Sequence, residues 1–298
     1  MTEIEPSDDM FPGFRLLDVP TLHGTIRMRV GGNGPALLLL HGYPQTHVLW
    51  HRVAERLRDR FTLLCADLPG YGASYRPPVT PDHAGHSKRA MAESLAAAMR
   101  ALGHERWMLG SHDRGARVAH RMALDSPERV SRLAVLDIAP TREMYRDTTD
   151  AFARAYWHWF FLIQPAPLPE RMIGADPDGF WRAKCGERGL DLFDPRALES
   201  YLAAFRDPGA IEASCEDYRA AASIDLRHDD EDGGRKVAQP ILALWGAGRV
   251  VGRCFNPLAL WQERAEDVRG WPLPGGHYLA EECPDEVADA FAGFFTEA

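Results

Sequence analysis

The chain has 298 residues, 45% of them hydrophobic and 26% charged, and a formal net charge of −9. This is the composition of an ordinary soluble globular protein, long enough for one large domain or for a core with an insertion. The acidic balance and the lack of a Lys/Arg block argue against a nucleic-acid surface, and any anionic substrate would need local positive charge.

In chain order, residues 1–10 are acidic and lack the basic and apolar regions of a signal peptide. Residues 25–30 read as an antiparallel strand closed by the turn Gly31-Gly32-Asn33-Gly34-Pro35. Short apolar runs bounded by turns predict buried strands at 36–40, 62–66, 107–110, 133–137 and 241–245, with a weaker one at 267–273. Helical patterns fall between several of them, at 53–60, 87–102 and 116–124, and another at 285–295 follows the last strand. Strands apolar on both faces, alternating with helices, predict an α/β architecture with a mostly parallel sheet covered on both sides. No apolar run approaches the ~18–20 residues that span a bilayer. The five cysteines, Cys65, Cys185, Cys215, Cys254 and Cys283, form no Cys-x-x-Cys pair and suggest neither a zinc site nor a disulfide framework. The expectation is a cytoplasmic protein with free thiols, no metal, and no membrane or nucleic-acid partner.

One interval breaks the rhythm. From 141 to 234 there is no clear buried strand, but many aromatics, helical patterns and a proline cluster at Pro165, Pro167 and Pro169. A structureless loop of that length would be anomalous. The expected organisation is therefore a core over 1–140, a mostly helical lid over 141–234, and the rest of the core over 235–298. The acidic run Asp229-Asp230-Glu231-Asp232 lacks the spacing of a calcium loop and reads as a solvated connector.

The chemistry concentrates in Gly110-Ser111-His112-Asp113-Arg114-Gly115-Ala116-Arg117. A strand enters a small-x-nucleophile-x-small turn and a helix leaves it. That is the nucleophile-elbow pattern, with Asp where Ser is usual. The plainer reading of the same Asp is a cap for the following helix. As a nucleophile, Asp is already ionised at neutral pH. It can displace a leaving group from a saturated carbon without prior activation. The product is an ester, whose hydrolysis needs a general base and an oxyanion hole.

Both stand in the expected chain order. His277 lies in Pro274-Gly275-Gly276-His277-Tyr278, and Asp137 ends the strand pattern 133–137. They read as the base and the acid that orients it. The alternative acid position, Gly246-Ala247-Gly248-Arg249, offers no carboxylate. The backbone N–H groups of Tyr43, in His41-Gly42-Tyr43-Pro44, and of Arg114, at a helix N-terminus, would form the oxyanion hole. The side chains of Arg114 and Arg117 adjoin the nucleophile. They suit either a small carboxylate substrate or structural salt bridges.

With these residues in place, the chain resembles the fluoroacetate dehalogenases of the α/β-hydrolase fold. The matching core stretches are His41-Gly42-Tyr43-Pro44-Gln45-Thr46, Asp67-Leu68-Pro69-Gly70-Tyr71-Gly72, His112 to Arg117, and Gly276-His277. In the lid they are Trp157-His158-Trp159-Phe160-Phe161, Gln164-Pro165-Ala166-Pro167-Leu168-Pro169-Glu170 and Asp217-Tyr218-Arg219-Ala220. They span most of the chain, and the lid stretches are the family-specific part. The resemblance implies that Asp113 is the nucleophile, His277 the base and Asp137 its partner. It implies that Arg114 and Arg117 hold the carboxylate of a small haloacid. It further implies that His158, Trp159 and Tyr218 line a small halide pocket. Such proteins are commonly homodimeric and use no metal or organic cofactor. An imidazole N–H, an indole N–H and a phenol O–H are all donors to an anion, and their value rises in a dry site.

Two positions depart from the pattern: Ser111 stands where Gly is usual, and His86 where an aromatic is expected. They leave substrate preference open. An epoxide hydrolase shares the Asp-His-Asp logic and would need two lid tyrosines from among Tyr145, Tyr156, Tyr201 and Tyr218. The paired arginines argue against it, since an epoxide carries no carboxylate. A haloalkane dehalogenase would usually carry a halide-binding Trp where Arg114 stands. A non-catalytic, ligand-binding member of the fold would have no need of Asp113, His277 and Asp137 together.

Overall fold

The run Ala36–Leu40 is apolar throughout and buried along its whole length, which fits a strand covered on both faces at the centre of a sheet. The computed structural model describes residues 1–5, 10–185 and 189–297. Its nine strands are β1 (Thr2–Ile4), β2 (Arg15–Pro20), β3 (Thr25–Gly32), β4 (Ala36–Leu40), β5 (Thr62–Ala66), β6 (Trp107–His112), β7 (Val130–Leu136), β8 (Ile241–Gly246) and β9 (Val268–Leu273). They form one sheet in the order β1-β2-β3-β5-β4-β6-β7-β8-β9. The pairs from β5 through β4, β6, β7 and β8 to β9 are parallel, and β1, β2 and β3 pair antiparallel at one edge. Helices flank the sheet. Among the described residues none is long and apolar enough to cross a membrane.

The six parallel strands fall on the six apolar runs read from the sequence. Two strands, β1 and β2, had no counterpart in that reading. Among the described residues, every regular element between β7 and β8 is a helix, from Thr141–Arg146 to Ile224–Asp232. Proline and caps set several boundaries there. Asp194 and Asp207 each precede a proline at the first helical position and accept the amide of Arg196 or Gly209. The acidic run 229–232 corrects an expectation. It is the last turn of the helix Ile224–Asp232 and not a solvated connector. Its charges are used: Asp230 pairs with Arg142, and Asp232 with Arg121 and Arg235.

Asp67, just past β5, ties together two loops that border the site. It accepts the His47 amide at 2.8 Å, the His47 ring Nδ1–H at 2.8 Å and the Ala73 amide at 2.9 Å. Burial pushes its pKa up, but the His47 and His41 imidazoles and these hydrogen bonds win, lowering it from 3.8 to about 2. A folded pKa below the unfolded one gives stability that is present above pH ~4 and lost as pH falls toward 2. At ~1.36 kcal/mol per unit, this is about 2 kcal/mol. Asp67→Asn is therefore expected to lower the unfolding free energy at pH 7 by about 2 kcal/mol and to flatten its fall between pH 4 and 2. Urea titrations of both proteins across that range check it; parallel curves would contradict it.

Candidate active site

The strand β6 leads into the helix Asp113–Asp125 with Asp113 at φ 46°, a left-handed conformation that side chains rarely adopt. The turn is held by close packing. A Cβ on Gly115 would lie 2.3 Å from the carbonyl oxygen of His41, and one on Gly42 would lie 2.5 Å from Cβ of Asp113. Only glycine lets the two loops approach this closely. Ser111, where glycine is usual, is accommodated because its hydroxyl donates to the Ala134 carbonyl of β7 at 2.7 Å. His86, the other departure, is buried with neither ring nitrogen hydrogen-bonded, and burial lowers its pKa.

The two oxygens of Asp113 have different surroundings. Oδ1 accepts the Tyr43 amide at 2.9 Å. Oδ2 lies 4.0 Å from Nε2 of His277. Burial pushes the Asp113 pKa up, yet the His277 and His112 imidazoles, Lys184 and Arg114 hold it well below the carboxylate range. The group is a buried carboxylate kept ionised. Arg114, in the first helical turn, has an amide with no acceptor within its own helix.

His277 is held from three sides. Its Nδ1–H donates to Oδ2 of Asp137 at 2.7 Å, which leaves Nε2 facing Asp113. Asp137 sits at φ 49° just past β7, and its other oxygen accepts the Gly246 amide at 3.0 Å. Nε2–H of His112 donates to the His277 carbonyl at 2.8 Å, with the two rings 4.8 Å apart. The Tyr156 hydroxyl is 3.4 Å from Nδ1 of His277. The sequence named His112 only within the elbow stretch and Tyr156 only among the lid tyrosines of the epoxide-hydrolase alternative, and gave neither a place beside His277.

The two arginines, alike in sequence, differ in their partners. Arg114 donates through Nε and Nη2 to the Asp217 carboxylate at 2.8 and 2.7 Å, leaving Nη1 without a partner. Asp217 also accepts Lys88 and, at 2.6 Å, the Tyr71 hydroxyl. Arg117 is fully buried with no carboxylate partner among the described residues. Its Nη1 donates to the Ala139 carbonyl at 3.2 Å and the Thr141 hydroxyl at 2.8 Å, and its Nε has no partner. Burial and the neighbouring Arg114 press its pKa down. A buried guanidinium in that state lacks an anion.

The three aromatic residues expected at a halide pocket come together beside this pair. The rings of His158 and Tyr218 are 6.0 Å apart, and those of Trp159 and Tyr218 are 6.4 Å apart. Arg114 stacks on Tyr218 at 4.2 Å and Arg117 on Trp159 at 4.7 Å, so each cation braces one ring. Trp159 Nε1 and the Tyr218 hydroxyl are buried donors without a partner. Burial holds the Tyr218 hydroxyl well above its ordinary pKa, so it remains a donor. Burial lowers the His158 pKa, with Lys184 adding to the effect.

Against known proteins, residues 35–249 match the α/β hydrolase fold family. A fluoroacetate dehalogenase from Burkholderia sp is 49% identical, covering 97% of this chain and 96% of its own. A soluble epoxide hydrolase from Corynebacterium sp. (strain C12) is 29% identical, covering 99% and 98%. Among solved structures, one named only as an α/β hydrolase, from Nostoc sp PCC 7120, superimposes with a TM-score of 0.93 at 50% identity, covering 96% of this chain and 99% of that one.

Proposed function

Since the chain belongs to the α/β-hydrolase fold and, within it, to the fluoroacetate dehalogenase family, we propose that it hydrolyses a small 2-haloacid, fluoroacetate to glycolate and fluoride, through an ester on Asp113. It is a hydrolase acting on carbon–halide bonds. The observation that carries the substrate class is Arg117, a buried cation beside an ionised nucleophile and, among the described residues, hydrogen-bonded to no carboxylate. A substrate carboxylate would neutralise it. Arg114 would add the one donor, Nη1, that Asp217 leaves free.

In the first step Oδ2 of Asp113 attacks the α-carbon as the carbon–halogen bond breaks, and the halide leaves with the bonding pair. His158, Trp159 Nε1 and the Tyr218 hydroxyl receive it where negative charge develops. In the second step Nε2 of His277 takes a proton from water, and the hydroxide adds to Cγ of Asp113. The oxyanion forms on Oδ1, already held by the Tyr43 amide. Collapse expels the hydroxy acid, which leaves with the proton held by His277. Asp137 keeps the imidazole in the correct tautomer and stabilises the imidazolium.

Halide release from fluoroacetate and chloroacetate, side by side, tests this. Fluoride release supports it. Chloride without fluoride keeps the Asp113 chemistry but implies a looser halide site, and no halide from either removes the reading. Trp159→Phe and Tyr218→Phe each delete one donor. Each is expected to lower kcat for fluoroacetate by ~10²-fold and for chloroacetate by less, because fluoride is the poorer leaving group. Equal losses on both acids would contradict a fluoride-specific role.

A second reading is an epoxide hydrolase. Tyr145 and Tyr218 both carry buried, unpartnered hydroxyls that could protonate an epoxide oxygen, and a relative of that class matches the whole chain. It gives Arg117 no counter-ion. Turnover of styrene oxide without halide release from either acid would favour it.

A further inference from the structure

A half-open cavity of about 560 Å³ lies over the base, with Asp137, His158 and His277 among its inner lining. Its wall also carries Lys184, which helps keep Asp113 ionised, and Arg249 and Arg253, which have no role in the chemistry above. Arg154 lines it too, but is paired with Asp150 one turn away at 2.8 Å. The other three have no carboxylate partner among the described residues. Besides Asp137, the acidic group in the lining is Glu282, whose oxygens accept the amides of Gly276 at 2.9 Å and Tyr278 at 3.1 Å.

Lys184 is the innermost of the three. It belongs to the helix Pro177–Cys185 of the insertion and donates to the Tyr43 carbonyl at 3.0 Å and the Tyr278 hydroxyl at 2.8 Å. It thus rests on the residue that supplies the oxyanion amide and on the neighbour of the base. Arg249 and Arg253 are exposed, at the start and in the last turn of the short helix Val250–Cys254. Surface arginines in this chain mostly face a carboxylate, as Arg56, Arg129, Arg206 and Arg269 do. Three cations without a carboxylate partner among the described residues, around one opening in a chain of net charge −9, give the opening a local attraction for anions.

We propose that Lys184, Arg249 and Arg253 form an outer docking station for small carboxylates, which holds the substrate before it reaches Arg117 and the hydroxy acid product as it leaves. This rests on the reading of the substrate as a carboxylate. Where chemistry is slow relative to dissociation, KM reports equilibrium binding. The exposed arginines, Arg249 and Arg253, then act on KM and on product inhibition and leave kcat nearly as it was.

The test uses the double variant R249E/R253E, changed at exposed positions, and the single variants K184M and K184R. At low salt the double variant is expected to show a KM for fluoroacetate and a Kd for glycolate about tenfold above wild type. The gap should close at on the order of 0.5 M salt, where exposed charges are screened. K184M should weaken glycolate binding, and K184R should restore it; a merely structural lysine would not follow charge in this way. Calorimetric glycolate binding needs no turnover, so it separates the two claims. Weakened, salt-dependent binding in a protein that releases no halide would leave the station standing and sink the dehalogenase reading. Equal glycolate affinity for R249E/R253E and wild type at low salt would overturn the station, whatever the halide assay gives.

Discussion

Asp113→Asn is expected to lower steady-state fluoride release at least ~10⁴-fold while the fold survives. The substitution preserves shape, and the amide oxygen can still accept from the Tyr43 N–H, so the turn keeps its anchor. What disappears is the charge on Oδ2, the atom that faces His277 and, in the proposed reaction, the α-carbon. An amide nitrogen with its lone pair delocalised is a poor nucleophile toward a carbon–fluorine bond. The buried arginines and halide donors remain, so substrate should still bind, and the loss should fall on kcat and not on KM. Fluoride-electrode assays on freshly purified protein check this, with circular dichroism to confirm folding. Multiple-turnover activity near the wild-type level would remove Asp113 from the chemistry.

His277→Ala is expected to divide the reaction. The first step uses the charge of Asp113, the grip of Arg117 and the halide donors, none of which needs a base. The second requires a proton to leave water, and the structure places the Nε2 of His277 on the Oδ2 side of Asp113. The variant should release about one equivalent of fluoride per active site and then stall, with steady-state turnover down ~10³-fold or more. Asp137→Asn should resemble it in kind but less in degree, since it upsets the tautomer and leaves the imidazole present. A variant that loses the initial equivalent along with turnover would place His277 in the first step too.

The parts legible from sequence were those with a local period or a fixed chain order. The central parallel strands are apolar on both faces, so their runs stand out against flanking turns, whereas β9 at the edge is largely exposed and leaves a weaker run. The first two strands lack that signature. β1 is three residues long and largely exposed, and β2 carries Arg15 and Asp18 and ends in Pro20. Asp113, Asp137 and His277 follow the strand ends in order, and the fold brings His277 within 2.7 Å of Asp137 and 4.0 Å of Asp113. Pairings over long sequence separations were not legible. Nothing near Arg114 indicates that Asp217, on the insertion, takes two of its nitrogens, while Arg117 pairs with no carboxylate among the described residues. The spacing made the two arginines equivalent, and the fold does not. The positions of Lys184 against Tyr43 and of Tyr156 against His277 were not legible either, because what sets them is how the insertion packs on the core.

The most direct test of the central claim is the mass of the peptide containing Asp113 after the His277→Ala protein has been exposed to fluoroacetate. The ester mechanism predicts that this peptide, and no other, gains one carboxymethyl group on Asp113, and that Asp113→Asn in the same background abolishes the gain. An unmodified Asp113 peptide, in protein that has released its equivalent of fluoride, would mean that water attacks the substrate directly and that Asp113 is not the nucleophile.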